Sequence, residues 1–188
     1  MIENISVKER IAPLRVQYKE APETAWGTNS AKTIGDDLAD PYHGKVVPGK
    51  EHNFQLSIGA HKGVGGLHDA PCPGDILCAA LAACQESAIR MTANILGITL
   101  TSLEVEVTGG IDIRGALGIK REIPVGFQSM KCQVNLQTAE GSDPKLVKKL
   151  VKAAEYSCPV SQTLRSGVPV ETEFNLDQFP KYFCEAPH

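Results

Sequence analysis

Apolar residues alternate with polar ones in several stretches of the chain. Phe54, Leu56 and Ile58 stand against Asn53, Gln55 and Ser57; Leu103, Val105 and Val107 against Glu104 and Glu106. Met130, Cys132, Val134 and Leu136 alternate with Lys131, Gln133, Asn135 and Gln137, and Val168, Val170, Thr172 and Phe174 form a last alternating run. A period of two predicts half-buried strands. Beyond Gly109-Gly110, the alternation of Ile111 and Ile113 with Asp112 and Arg114 predicts another strand, after a turn or a glycine kink.

Elsewhere the period lengthens. Leu77, Leu81, Cys84, Ala88, Met91 and Ile95 recur at steps of 4, 3, 4, 3 and 4, which predicts a helix of about six turns ended by Gly97. Ala79, Ala80, Ala82 and Ala83 make it apolar almost all round, so it should be buried on more than one side, in the middle of the fold. Leu146, Val147, Leu150, Val151 and Ala154 form the stripe of a second helix, with Asp143 as N-cap, Pro144 in the first turn and four lysines on the wet side. Ser157-Cys158-Pro159 starts a short helix closed by Gly167. Val7, Ile11, Leu14 and Tyr18 predict an N-terminal helix interrupted by Pro13, and residues 27–53 have the Gly, Asp, Asn and Pro content of turns and short edge strands. Strands, buried helix, strands, helix, short helix, strand is an α+β order with mainly antiparallel sheet.

Composition excludes several function classes. The net charge of −3 comes without a block of like charges, so no nucleic acid or lipid-surface partner is expected. The longest apolar run, from Ile76 to Cys84, is far below the roughly 20 residues a membrane-spanning helix needs. Met-Ile-Glu-Asn-Ile-Ser has neither the basic start nor the apolar stretch of an export signal, and the expected compartment is the cytoplasm. Gly63-Val64-Gly65-Gly66 departs from a dinucleotide loop because position 68 is His, and there is no GxSxG or GxxxxGK[ST].

The thiols remain. Six cysteines, at positions 72, 78, 84, 132, 158 and 184, read as free, metal-bound or catalytic before they read as disulfides. Cys72, Cys78 and Cys84 are spaced by six, which on a helix separates neighbours by about 120°. That spacing argues against a zinc site built from them with His61 or His68, and no metal or cofactor is expected. Cys84 lies on the central helix, where a small core hydrophobe is the plain reading. Cys158 lies where a helix begins, where the positive end of the helix dipole favours a thiolate and a plain N-cap is the other reading. Cys72, Cys78 and Cys132 are taken as structural or incidental, as is Cys184, placed in a mobile terminal tail.

The segment Pro73-Gly74-Asp75-Ile76-Leu77 leading into Ala79-Ala80-Leu81-Ala82-Ala83-Cys84 resembles the OsmC/Ohr family of thiol peroxidases. So do Val105-Glu106-Val107, Asp112-Ile113-Arg114-Gly115, Pro124-Val125-Gly126-Phe127 and Cys158-Pro159-Val160 with Thr163-Leu164. The resemblance covers roughly residues 54 to 174 and implies a single OsmC-like domain over 1–188, with a divergent segment at about 1–53. It implies an intertwined homodimer around central helices and the reduction of organic hydroperoxides or hydrogen peroxide. Cys84 would be the peroxidatic thiol and Cys158 the resolving one, with an external dithiol as reductant. In the peroxidase branch a glutamate directly after the helix-opening proline orients an arginine against the thiolate. Here Gly74 follows Pro73, so Asp75 or Glu86 are the nearby carboxylates, and Arg10 or Arg15 the candidate cations. Two other readings keep the fold: a non-catalytic binding protein for an apolar small ligand, and a thiol redox sensor or dimeric scaffold.

Overall fold

The longest helix, α2 (Pro73–Leu96), organises the rest of the computed structural model, which describes residues 6–35, 37–175 and 182–184. Pro73 sits in its first turn, Asp75 closes a capping box with Cys72, and Gly97 ends it at φ 69, a left-handed conformation open to glycine at little cost. Leu81, Gln85, Ala88, Ile89 and Ala93 form its buried face.

Strand β4 (Leu100–Gly110) packs on α2 and pairs antiparallel with β5 (Ser129–Thr138). The register sets Leu103 opposite Leu136, Val105 opposite Val134 and Val107 opposite Cys132, so each strand gives its apolar side chains to one face. Helix α4 (Pro144–Tyr156) also packs on α2, with Leu150 and Ala154 fully buried. Asp143 Oδ1 accepts from the Lys145 N–H at 2.8 Å, as its N-cap position predicts. Helix α5 (Pro159–Ser166) follows after one turn and docks on α2 as well.

At the N-terminal end, α1 (Val7–Glu20) contains Pro13 and buries no residue. It is tied to the far end of α2 by the Val7 N–H, which donates to Asn94 Oδ1 at 2.9 Å. β1 (Ala31–Ile34), β2 (His43–Pro48) and β3 (Leu56–Gly59) form a separate antiparallel sheet in that order. The fold is α+β with antiparallel sheets.

Three expectations are corrected. Residues Ile111–Arg114 are not a strand: β4 runs on through Gly110, and Asp112 then caps a short helix, α3 (Ile113–Ala116), its Oδ1 accepting from the Arg114 N–H at 3.0 Å. An aspartate that bonds its own following backbone withdraws that backbone from a ladder. The last strand is shorter than its alternation, because β6 spans only Thr172–Phe174 while Val168 and Val170 are exposed. β6 pairs with β7 (Tyr182–Cys184), Thr172 opposite Cys184, so Cys184 belongs to a strand and not to a loose tail.

The central helix also differs from expectation on one side. Ala79, Ala80, Ala83, Ser87 and Met91 are exposed, so this chain alone does not cover α2 all round. Among the described residues no helix is long and apolar enough to cross a membrane.

Candidate functional site

The docking of α5 on α2 joins the two cysteines that sequence separates by 74 positions. Cys84, half-buried on α2, packs against a cluster that contains Cys158, and the two thiols are hydrogen-bonding neighbours. Cys158 is the N-cap of α5 and has no exposed surface. Leu81, Ala88, Leu150 and Ala154 surround the pair with apolar surface.

This environment reverses the expected effect of the helix terminus on Cys158. Burial pushes its thiol up from the usual range, the neighbouring Cys84 adds to this, and the Ser161 amide facing the sulfur offsets only part. One helix end supplies a fractional charge, whereas withdrawal from water penalises the whole charge of a thiolate.

Neither supporting carboxylate faces Cys84 in this chain. Asp75 is nine residues before Cys84, about 13 Å along the axis. Its Oδ2 accepts from the Cys72 N–H and from His68 Nε2, both at 2.8 Å, and these bonds hold the carboxyl down to about 2. Glu86 is rotated about 200° from Cys84 around α2, and it pairs with Arg90 at 3.4 Å. Arg10 and Arg15 are exposed on α1 and have no ion pair among the described residues. Gly74 also has a local reason: a Cβ there would lie 3.1 Å from Phe127 Cζ and 3.5 Å from Cys72 Sγ, so glycine admits the ring over the helix start.

Cavities flank the pair. One of about 600 Å³ runs past Leu77, Leu81, Met130 and Leu164, on the same α2 stripe that continues to Cys84. Another of about 330 Å³ lies between α2, β5, α4 and α5, with Gln85, Ser161 and Arg165 in its wall. A third, about 940 Å³, opens between the first half of α2 and β4 beside Cys72 and Cys78. Sequence reasoning did not single out Ser161 or Arg165, which become neighbours of the site only through the turn between α4 and α5.

Residues 66–173 match the family model described as OsmC-like protein. The chain belongs to the OsmC-like family. Solved structures agree on the fold. An OsmC-like protein from Mycoplasma pneumoniae superposes with a TM-score of 0.58 at 16% identity, over 75% of this chain and 89% of the other. An organic hydroperoxide resistance protein from Elizabethkingia anophelis gives 0.54 at 20% identity, over 76% and 91%. A protein from Legionella pneumophila, described as an organic hydroperoxide resistance protein OsmC and predicted redox protein, is 25% identical over 74% of this chain and 90% of that one, with a TM-score of 0.50. No curated protein matches the chain.

Proposed function

We propose that this OsmC-like protein is a two-cysteine thiol peroxidase that reduces organic hydroperoxides or hydrogen peroxide. The observation that carries the reading is the contact of the Cys84 and Cys158 thiols at the α2–α5 junction. The likeness to the Legionella protein supports the substrate class.

In this mechanism the Cys84 thiolate attacks one oxygen of the O–O bond. The bond breaks, the alcohol or water leaves with a proton, and Cys84 becomes a sulfenic acid. The Cys158 sulfur then attacks the sulfenic sulfur, an S–S bond forms and water leaves. An external dithiol restores both thiols by exchange. The cavity past Leu77, Leu81 and Leu164, whose walls also carry Gln128, Ser129 and Arg165, offers an alkyl hydroperoxide apolar surface one helical turn from Cys84. Cys84 needs a cation to favour its thiolate, because a mid-helix position offers no terminus; Arg15 or Arg10 on α1 takes this role in the proposal, and Asp75 and Glu86 serve the helix itself.

The working unit in this reading is a cytoplasmic homodimer. The exposed strip of Ala79, Ala80, Ala83 and Ser87 offers small side chains for close helix approach, and Met91 beyond it an exposed apolar one.

The test mixes reduced protein with one equivalent of cumene hydroperoxide and follows thiol loss and sulfur mass. Two thiols should disappear and a Cys84–Cys158 bridge appear. If Cys84→Ser consumes peroxide as fast as the unmodified protein, the reading fails. The 940 Å³ cavity favours a second reading, a carrier of apolar ligands, which would bind them without thiol loss.

A further inference from the structure

Away from the thiol pair, the start of α2 gathers three different metal-binding side chains. The nitrogen of His68, the sulfur of Cys72 and a carboxylate oxygen of Asp75 lie within 4.8 Å of one another. They come from one eight-residue stretch. His68 stands in a left-handed backbone conformation, φ 55, held by its N–H donating to the Ala60 carbonyl at 3.1 Å. That conformation is costly for a residue with a Cβ, and here it accompanies a ring whose Nε2 meets Asp75 at 2.8 Å. The capping box of α2 requires Cys72 and Asp75 but no histidine.

We propose that His68, Cys72 and Asp75 form a binding site for a divalent transition metal of the zinc class. One nitrogen, one sulfur and one oxygen donor suit a borderline ion and disfavour magnesium or calcium, which take oxygen shells. Around a tetrahedral ion with bonds of about 2.0–2.3 Å, the donors would sit somewhat closer together than 4.8 Å. A small inward movement closes the site.

The proton balance is explicit. The Cys72 thiol releases its proton to solvent, and His68 turns a nitrogen lone pair to the ion in place of its bond to Asp75. Asp75, an ordinary carboxylate and so ionised at neutral pH, gives up no proton. Thiolate and carboxylate balance the two charges of the ion, so the positive end of α2 faces a neutral cluster.

Three protein donors leave a fourth position open, the pattern of reactive and not of structural zinc. His61 does not fill it: its Nδ1 accepts from the Gly63 N–H at 3.0 Å, which leaves the proton on Nε2, and its ring lies 4.8 Å from that of His68. Cys72 and Asp75 both line the 940 Å³ cavity, whose walls include Val105, Val107 and Phe127. The open position therefore suits a water or an anionic head group on an apolar molecule in that cavity.

The test uses the full chain with Cys84→Ser and Cys158→Ser, so that the other thiol pair cannot bind the ion and the peroxidase reading is not at issue. Titration with Co²⁺ should give one equivalent per chain, with a near-ultraviolet sulfur-to-cobalt band and visible bands of a tetrahedral ion, and Zn²⁺ should displace it. Adding Cys72→Ser should abolish the ultraviolet band. His68→Ala, which leaves the cap intact, should weaken binding at least tenfold, while Cys132→Ser should leave it unchanged. Absence of binding at micromolar Co²⁺, or an ultraviolet band that survives Cys72→Ser, would overturn the proposal. Circular dichroism of each variant establishes that a lost band is not lost folding.

Discussion

Leu150, Ala154 and Cys158 have no exposed surface, whereas in the sheet of β1, β2 and β3 the only buried residue is Gly59. The first group lies where α2, α4 and α5 meet the β4–β5 pair, and five elements share one apolar cluster. The N-terminal sheet has ladders of similar regularity but almost nothing packed on them. Backbone pairing alone contributes little net stability, because unfolded chains bond to water instead. One face of α2 is thus closed by the chain's own packing, while the sheet and the exposed side of α2 are left for another surface, in our reading a second copy of the chain.

Substitutions can break this contrast, and the largest effect belongs to the body. Cys84→Ser should lower hydroperoxide consumption by about 1,000-fold or more in a stopped-flow assay, while Val47→Ala in β2 should leave the rate per folded chain unchanged. Leu150→Ala should cost about 2–5 kcal/mol in urea unfolding, because it removes a side chain with no exposed surface and leaves a void where α4 meets α2. Val47→Ala should cost only about 1 kcal/mol, and its effect should depend on protein concentration if the sheet is finished by a partner. A cost for Val47→Ala equal to that of Leu150→Ala would erase the contrast.

Two pH dependences sharpen it with smaller effects. Because burial raises the Cys158 thiol, disulfide formation after peroxide treatment should still accelerate with pH above the ordinary thiol range, read by quenched-flow alkylation. The edge of the sheet responds the other way. His43 bridges Asp40 at 2.8 Å and Asp69 at 3.0 Å, and these carboxylates raise its pKa while theirs fall. Protonated His43 therefore favours the folded state: the contribution is complete below about pH 6.5 and fades as pH rises through the raised value. From the acid side it fades as pH falls below about 4, where the aspartates take up protons. The protection of amides at the start of β2, taken relative to their intrinsic exchange at each pH, should be greatest between those limits; a flat protection profile would show that the exposed bridge does not hold the sheet.

Much of the body was legible because its local rules agree. The stripe from Leu77 to Ile95, Pro73 at one end and Gly97 at the other specify α2, and Asp143-Pro144 specifies the start of α4. Ile111–Arg114 misled because its alternation is that of a strand while Asp112 also has the chemistry of an N-cap, and a four-residue helix has no period to read. The significance of Cys72 was hidden for a related reason. Spacing among cysteines was the signal sought, whereas Cys72 is joined by His68 from a strained loop position and by Asp75 through a helix cap.

By itself the sequence determined the longer helices, most of the strands and the presence of thiols on α2 and at the start of α5, since propensity, periodicity and capping act over a few residues. The tertiary structure decided that Cys84 and Cys158 touch, that burial outweighs the helix end at Cys158, and that one side of α2 stays open. These depend on how far water is excluded and on which distant surfaces meet, and such quantities exist only once the chain has packed.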